Sequence, residues 1–115
     1  MAFCPFVSRQ AFEIRLFPRR HSPRFEKITD SGITSAAEVL RVTLAKLMRG
    51  LNDPSYNFFI HTAPTMDGEA MNYYHWHIEI LPKTAVWAGF EIGTGIEIST
   101  IAPETASRFL RKIKV

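Results

Sequence analysis

The sequence predicts an α+β domain with a mostly antiparallel sheet of four to five strands and two helices. Three observations carry this prediction. Short segments alternate apolar and polar residues with a period of two, the mark of a half-buried strand. One long segment places leucines at helical spacing. A second helical pattern closes the chain, and the elements come in mixed order rather than as repeated strand–helix units.

Residues 11–17, Ala-Phe-Glu-Ile-Arg-Leu-Phe, form the first predicted strand, with Phe12, Ile14 and Leu16 on one side and Glu13 and Arg15 on the other. Pro18 and Pro23 bracket a loop that carries Arg19, Arg20 and His21. From Thr34 to Gly50 the pattern is helical, and Leu40, Leu44, Leu47, Met48 and Leu51 make one apolar stripe. Thr34 or Ser35 can cap its start, and Gly50 can end it in the left-handed conformation. Strands are predicted at 56–61, at 73–81 with Pro82 as the stop, and at 95–101, where Ile96, Ile98 and Thr100 alternate with Glu97 and Ser99. A final helix opens at Pro103, a favoured first helical residue, and puts Ala106, Phe109, Leu110 and Ile113 on one face.

Composition bounds the function. The 115 residues are 46% hydrophobic and 22% charged, with a net charge of +3, so the chain is expected to be one folded domain and not a disordered one. No apolar run approaches the roughly 20 residues of a membrane-spanning helix. The first 20 residues mix apolar residues with Arg and Glu, unlike a secretory signal. The lone Cys4 cannot pair internally, which fits a reducing, cytoplasmic setting, and it reads as a small apolar filler. The basic residues cluster toward the two ends. Between Leu51 and Ser107 stand one lysine, Lys83, and seven acids, including Asp67 and Glu69, which is not the continuous basic face of a nucleic-acid binder.

Two constellations carry chemistry. The first is histidine-rich: His61, then His75-Trp76-His77-Ile78-Glu79. On a strand, His75, His77 and Glu79 share one face, with successive same-face Cβ atoms roughly 6.5–7 Å apart. Imidazoles at that spacing can converge on one metal ion about 2.1 Å from each nitrogen, and an adjacent strand could bring His61 to the same face. The same residues also suit a phosphate- or nucleotide-binding face, a histidine nucleophile, or a plain polar sheet face. The second constellation is Ala88-Gly-Phe-Glu-Ile-Gly-Thr-Gly95. Its three glycines let backbone N–H groups approach an anion, and Thr94 adds a hydroxyl. It lacks the lysine of a P-loop and is not expected to open a helix, so a hairpin or bulge with flexible glycines fits equally well.

These constellations in this order resemble the galactose-1-phosphate uridylyltransferase family of nucleotidyltransferases. The resemblance rests on 72–82 (Asn-Tyr-Tyr-His-Trp-His-Ile-Glu-Ile-Leu-Pro), 88–95, Ala102-Pro-Glu104, the Phe-Phe-Ile-His-Thr-Ala-Pro of 58–64, and the strand and loop at 6–21. It covers nearly the whole chain and points to the family's C-terminal repeat. It implies a histidine-triad-like fold, a structural zinc or iron ion held by His61 and His77 with His75 or Glu79, and sugar-phosphate contacts from Gly89, Phe90, Glu91, Gly93, Thr94 and Gly95. It further implies a nucleotide sugar or hexose 1-phosphate as ligand, and a homodimer or an N-terminal-half partner. The nucleophilic His-Pro-His and the Cys-x-x-Cys of the family's first repeat are absent, so the chain alone is not expected to complete nucleotidyl transfer. The alternative is a ligand-sensing or assembly module derived from that repeat. A free-standing histidine-triad hydrolase is disfavoured, because Glu79 stands where such an enzyme holds a third histidine.

Overall fold

The computed structural model describes residues 1–64 and 71–115; Asp67 and Glu69, counted above among the acids, lie outside the described residues. The fold class is α+β, as predicted. Four strands, β1 (Ala2–Phe3), β2 (Ile14–Leu16), β3 (Tyr56–His61) and β4 (His77–Pro82), form one antiparallel sheet in the order β1-β2-β4-β3. The helices among the described residues are α1 (Asp30–Gly50), α2 (Gly89–Thr94) and α3 (Pro103–Lys112), with a 3-10 turn at Phe25–Lys27. No helix among the described residues is long and apolar enough to cross a membrane.

The core lies between one sheet face and α1 and α3. Ile14, Leu16, Ile78 and Ile80 project from β2 and β4 onto Leu47 of α1 and Leu110 of α3, with Trp76 closing one end. The leucine stripe of α1 packs as expected at Leu40, Leu44, Leu47 and Leu51, whereas Met48 is half exposed and Thr43 is buried instead. Thr43 tolerates burial because its hydroxyl donates to the Val39 carbonyl 2.7 Å away. Lys46 ties the two helices, donating its Nζ to the Leu110 and Ile113 carbonyls at the C-terminal end of α3.

Several boundaries differ from the sequence reading. Helix α1 starts four residues earlier, at Asp30, because Thr29 is the cap: its hydroxyl accepts the Gly32 N–H at 3.2 Å. Thr34 instead donates to the Asp30 carbonyl inside the first turn. Gly50 is helical rather than left-handed; it lies where a Cβ would come within 3.1 Å of Phe109 and Ile113, so it serves close helix approach. The left-handed residues are Asn52 and Asp53 (φ 58° and 55°). Strand β2 is only three residues long, because Phe12 turns the chain with φ 61°, and that turn buries Glu13 completely.

Strand β4 begins at His77, not Tyr73, and continues through Pro82. The proline is tolerated because β2 pairing has already ended at Ile14–Ile80, while Lys83 donates to the Ser55 carbonyl and carries the β3 ladder past it. Residues 95–101 form no strand: their period of two is present, but no neighbour among the described residues offers a ladder, and Ile96 and Ile98 stand exposed. Within the 88–95 segment Gly89–Thr94 form a helix, α2, which neither the anion-binding loop nor the hairpin or bulge of the sequence reading anticipated. The Glu91 carboxylate accepts the Ala88 N–H, and Gly95 ends the helix at φ 71°. Helix α3 runs as predicted from Pro103, with Ala106 and Leu110 buried.

Candidate metal centre and its surroundings

The register of β3 on β4 decides the geometry. His61 is the direct partner of His77, and Phe59 is the partner of Glu79, while on the other side Arg15 of β2 faces Glu79. All of these residues therefore lie on the sheet face opposite α1 and α3. The alternation that buries Ile78 and Ile80 turns His77 and Glu79 toward this second face.

A stack of rings crosses it. Phe3 lies on Phe17 (centroids 5.7 Å apart), Phe17 on His77 (4.6 Å), and His77 on His61 (4.7 Å), with each pair within 18° of parallel. The Nδ1–H of His77 donates to the His75 carbonyl at 3.1 Å, which leaves Nε2 with its lone pair. Burial holds the His77 pKa below its usual value, and the nearby His61 and Arg15 add to the effect, so His77 favours the neutral form a metal needs.

Beside the rings lies a charge network. Glu13, fully buried, accepts the Arg9 backbone N–H and the Arg15 Nε–H at 2.7 Å. Glu79, 5% exposed, has Arg9 and Arg15 each 3.7 Å away and His61 Nε2 at 3.4 Å, and Arg9 also reaches Glu97 at 3.5 Å. Three carboxylates face two guanidiniums, so the network carries one uncompensated negative charge. Among the described residues, His61 Nε2 and Glu79 Oε1 are enclosed yet have no hydrogen-bond partner, the Arg9 guanidinium standing 3.7 Å from Glu79 Oε1. A buried acceptor without a donor is costly unless something cationic satisfies it.

Ligand atoms of His61, His77 and Glu79 all lie within 4.8 Å of one another. Two imidazoles and a carboxylate form a donor set suited to zinc or iron, with room for a further ligand. His75 is placed differently. It precedes β4, and its ring stands edge-on to Phe17 (5.4 Å) and His21 (5.2 Å), so its carbonyl serves the site and its ring does not join the group. Sequence reading missed Glu13, Arg15 and Phe17. Only the odd glutamate beside an apolar turn signalled the first, because spacing assigned it to the solvent side.

The second constellation does not reach this group. Gly89, Phe90, Glu91, Gly93, Thr94 and Gly95 all sit on exposed α2 or its cap, and several of their donors are already engaged. The Gly95 N–H goes to the Glu91 carbonyl, and the Thr94 hydroxyl donates to the Phe90 carbonyl while accepting the Ile96 N–H. A cavity of about 390 Å³ lies under this segment and is bounded by Trp87, Glu91 and Glu97. Glu97 thus links the wall of that cavity to Arg9 and the Glu79 network.

No family model matches the chain. ADP-glucose phosphorylase of Arabidopsis thaliana is 34% identical over 116 residues, covering the whole chain and 33% of that protein. Its crystal structure with bound ADP-glucose superposes with a TM-score of 0.92 at 35% identity, over 99% of this chain and 37% of the other. Galactose-1-phosphate uridylyltransferase of Thermotoga maritima is 28% identical over 122 residues, again over the whole chain and 38% of the relative. A hypothetical histidine triad nucleotide-binding protein from Sulfolobus tokodaii, at 13% identity, shares the fold (TM-score 0.65, 96% of this chain and 74% of the other). The chain spans about one third of the length of the curated relatives it matches. It belongs to the galactose-1-phosphate uridylyltransferase and histidine-triad-like family, over the length of a single histidine-triad-like repeat.

Proposed function

We propose that residues 1–115 are one histidine-triad-like domain equivalent to the C-terminal repeat of a sugar-1-phosphate nucleotidyltransferase, supplying a metal site and sugar-phosphate contacts but not the nucleophile. The observation that carries this reading is the convergence of His61, His77 and Glu79. His61 and His77 offer imidazole nitrogens from adjacent strands, and Glu79 supplies the negative charge. The His75 carbonyl holds the tautomer of His77. A bound zinc or iron ion would supply a structural cross-link between β3 and β4.

The ligand of this reading is a nucleotide sugar or hexose 1-phosphate, supported by the ADP-glucose present in the structure of the Arabidopsis relative. The Glu91 carboxylate suits sugar hydroxyls, and the first-turn N–H groups of Gly89 and Phe90 suit a phosphate oxygen. Gly93, Thr94 and Gly95 shape and end the helix that presents them. Association with a second copy or with an N-terminal-half partner is part of the proposal. It is supported by edge strand β3, where Tyr56, Phe58, Phe59 and Ile60 are each between 41% and 53% exposed.

Plasma mass spectrometry of the purified chain beside a His61→Ala/His77→Ala variant tests the metal. Near-stoichiometric zinc or iron, lost in the variant, is expected. Calorimetric titration with ADP-glucose, UDP-glucose and hexose 1-phosphates tests the ligand. Absence of both metal and ligand binding, alone and with an N-terminal half supplied, would overturn the reading.

A further inference from the structure

A groove of about 800 Å³ opens on the helix side of the sheet, away from the histidine face, between the loop after β2 and the start of α1. Its apolar floor is made by Leu16, Val39 and Ile78. Its rim carries Arg19, Arg20 and Lys27, all exposed, and among the described residues no carboxylate lines it. Among the described residues none of these three cations makes an ion pair, and the three line one groove together. Three cations that line one groove with no counter-charge among the described residues repel one another, and an anion relieves that repulsion.

The basic loop is held in place. The His21 Nε2–H donates to the Asn72 carbonyl at 2.6 Å, the Trp76 N–H donates to the Ser22 carbonyl at 3.0 Å, and the Ala63 N–H donates to the Pro23 carbonyl at 2.9 Å. The loop backbone that carries Arg19 and Arg20 is therefore held before any ligand arrives, which lowers the ordering cost of binding. The exposed Ser31 hydroxyl lies on the opposite wall and adds a neutral donor.

We propose that this groove binds a small phosphorylated molecule with an apolar portion. The phosphate meets Arg19, Arg20 and Lys27, and the apolar portion covers Leu16, Val39 and Ile78. Two guanidiniums and an ammonium suit a phosphate dianion, since planar forks bind two oxygens each and the ammonium a third. Leu16 and Ile78 are buried and Val39 is half-buried, so the groove meets an apolar floor, which favours a ligand with a hydrophobic body over a bare anion. The site is separate from the His61–His77–Glu79 group, because Leu16 and Ile78 point to the face opposite His77.

Calorimetric titration of the whole chain with phenyl phosphate, beside inorganic phosphate, tests this. Saturable binding of phenyl phosphate is expected, tighter than that of inorganic phosphate. It should weaken about tenfold or more in Arg19→Gln/Arg20→Gln/Lys27→Gln, the equivalent of one charge-assisted hydrogen bond. These side chains are exposed, and circular dichroism checks that the variant folds. His61→Ala/His77→Ala should bind phenyl phosphate unchanged, which separates this proposal from the metal reading. No saturable binding, equal binding by the triple variant, or binding no tighter than that of inorganic phosphate would overturn it. So would displacement of phenyl phosphate by a micromolar single-stranded oligonucleotide, which would make the groove a nucleic-acid face.

Discussion

The imidazoles of His61 and His77 stack across the β3–β4 ladder, with centroids 4.7 Å apart and planes within 17° of parallel. Direct opposition in the register produces this arrangement, and Phe17 clamps the far side of His77. Rings held this way have little freedom left to lose on metal binding, so the fold should respond to zinc as one unit. Binding that favours the folded state stabilises it by about 2.7 kcal/mol when free metal is a hundred times its Kd. Thermal unfolding with and without zinc should show a rise of several degrees that is absent in His61→Ala/His77→Ala. His75→Ala should keep the rise, because the His75 ring faces Phe17 and His21. Loss of the rise in His75→Ala would show that its ring turns to ligate.

Glu13 is a buried charge on which two segments converge. Its carboxylate takes the Arg9 N–H and the Arg15 Nε–H with no exposure to water. Glu13→Ala would leave a part-buried guanidinium and a backbone donor without partners, at a cost of about 2–4 kcal/mol. Glu13→Gln keeps an acceptor for one of the two and should cost less. Urea unfolding of both variants checks the order. The exposed Glu38–Arg41 pair on α1 is the control, and Glu38→Gln should leave the midpoint where it is.

How legible this was in the sequence depends on which interaction fixed each element. Strand β3 follows from its short aromatic run, and helix α3 and most of the α1 stripe from local period and Pro103, and they stand where the sequence places them. His61 and His77 were also readable, since two strands bearing histidines needed only an antiparallel register to bring them opposite. The failures share another cause. Residues 95–101 have strand periodicity but no neighbour to pair with among the described residues, and a ladder is a tertiary property. Glu13 alternates as a solvent-side residue, yet the left-handed Phe12 before it and the arginines around it make its burial tolerable. Glycines in 88–95 signalled flexibility, whereas the Glu91 side chain and the Gly95 cap close a short helix. Cap choice at Thr29 over Thr34 depended on the preceding 3-10 turn, which spacing alone does not show.

Cys4 packs against the core, and its thiol pKa is pushed up to about 11 by burial, with the Glu13 charge adding to the rise and Arg111 opposing it. The native thiol should therefore react with a disulfide reagent at pH 8 far more slowly than the unfolded chain does. The linkage sign follows. The unfolded thiol loses its proton near 9 while the folded one keeps it, so stability falls as pH rises through 9 toward 11. Cys4→Ala should flatten that alkaline limb of the urea midpoint. An equally steep limb in the variant would assign it to other groups.

The opposite limb reports on His77. Burial, the nearby His61 and Arg15 hold its pKa below 6.5 in the fold, against the His75 carbonyl and Glu79, which pull it upward. As pH falls through 6.5 the unfolded chain takes up a proton that the folded chain refuses, so the unfolded state holds more protons and stability drops. The loss is complete below the folded-state pKa and absent above 6.5, where both states are neutral. In the presence of a chelator, the urea midpoint should decline between pH 7.5 and 5, and His77→Gln should decline less. With zinc bound the decline should steepen, because protons and metal compete for the same Nε2 lone pair. If zinc leaves the slope unchanged while still raising the midpoint, the ion is bound elsewhere and His77 is only a member of the ring stack.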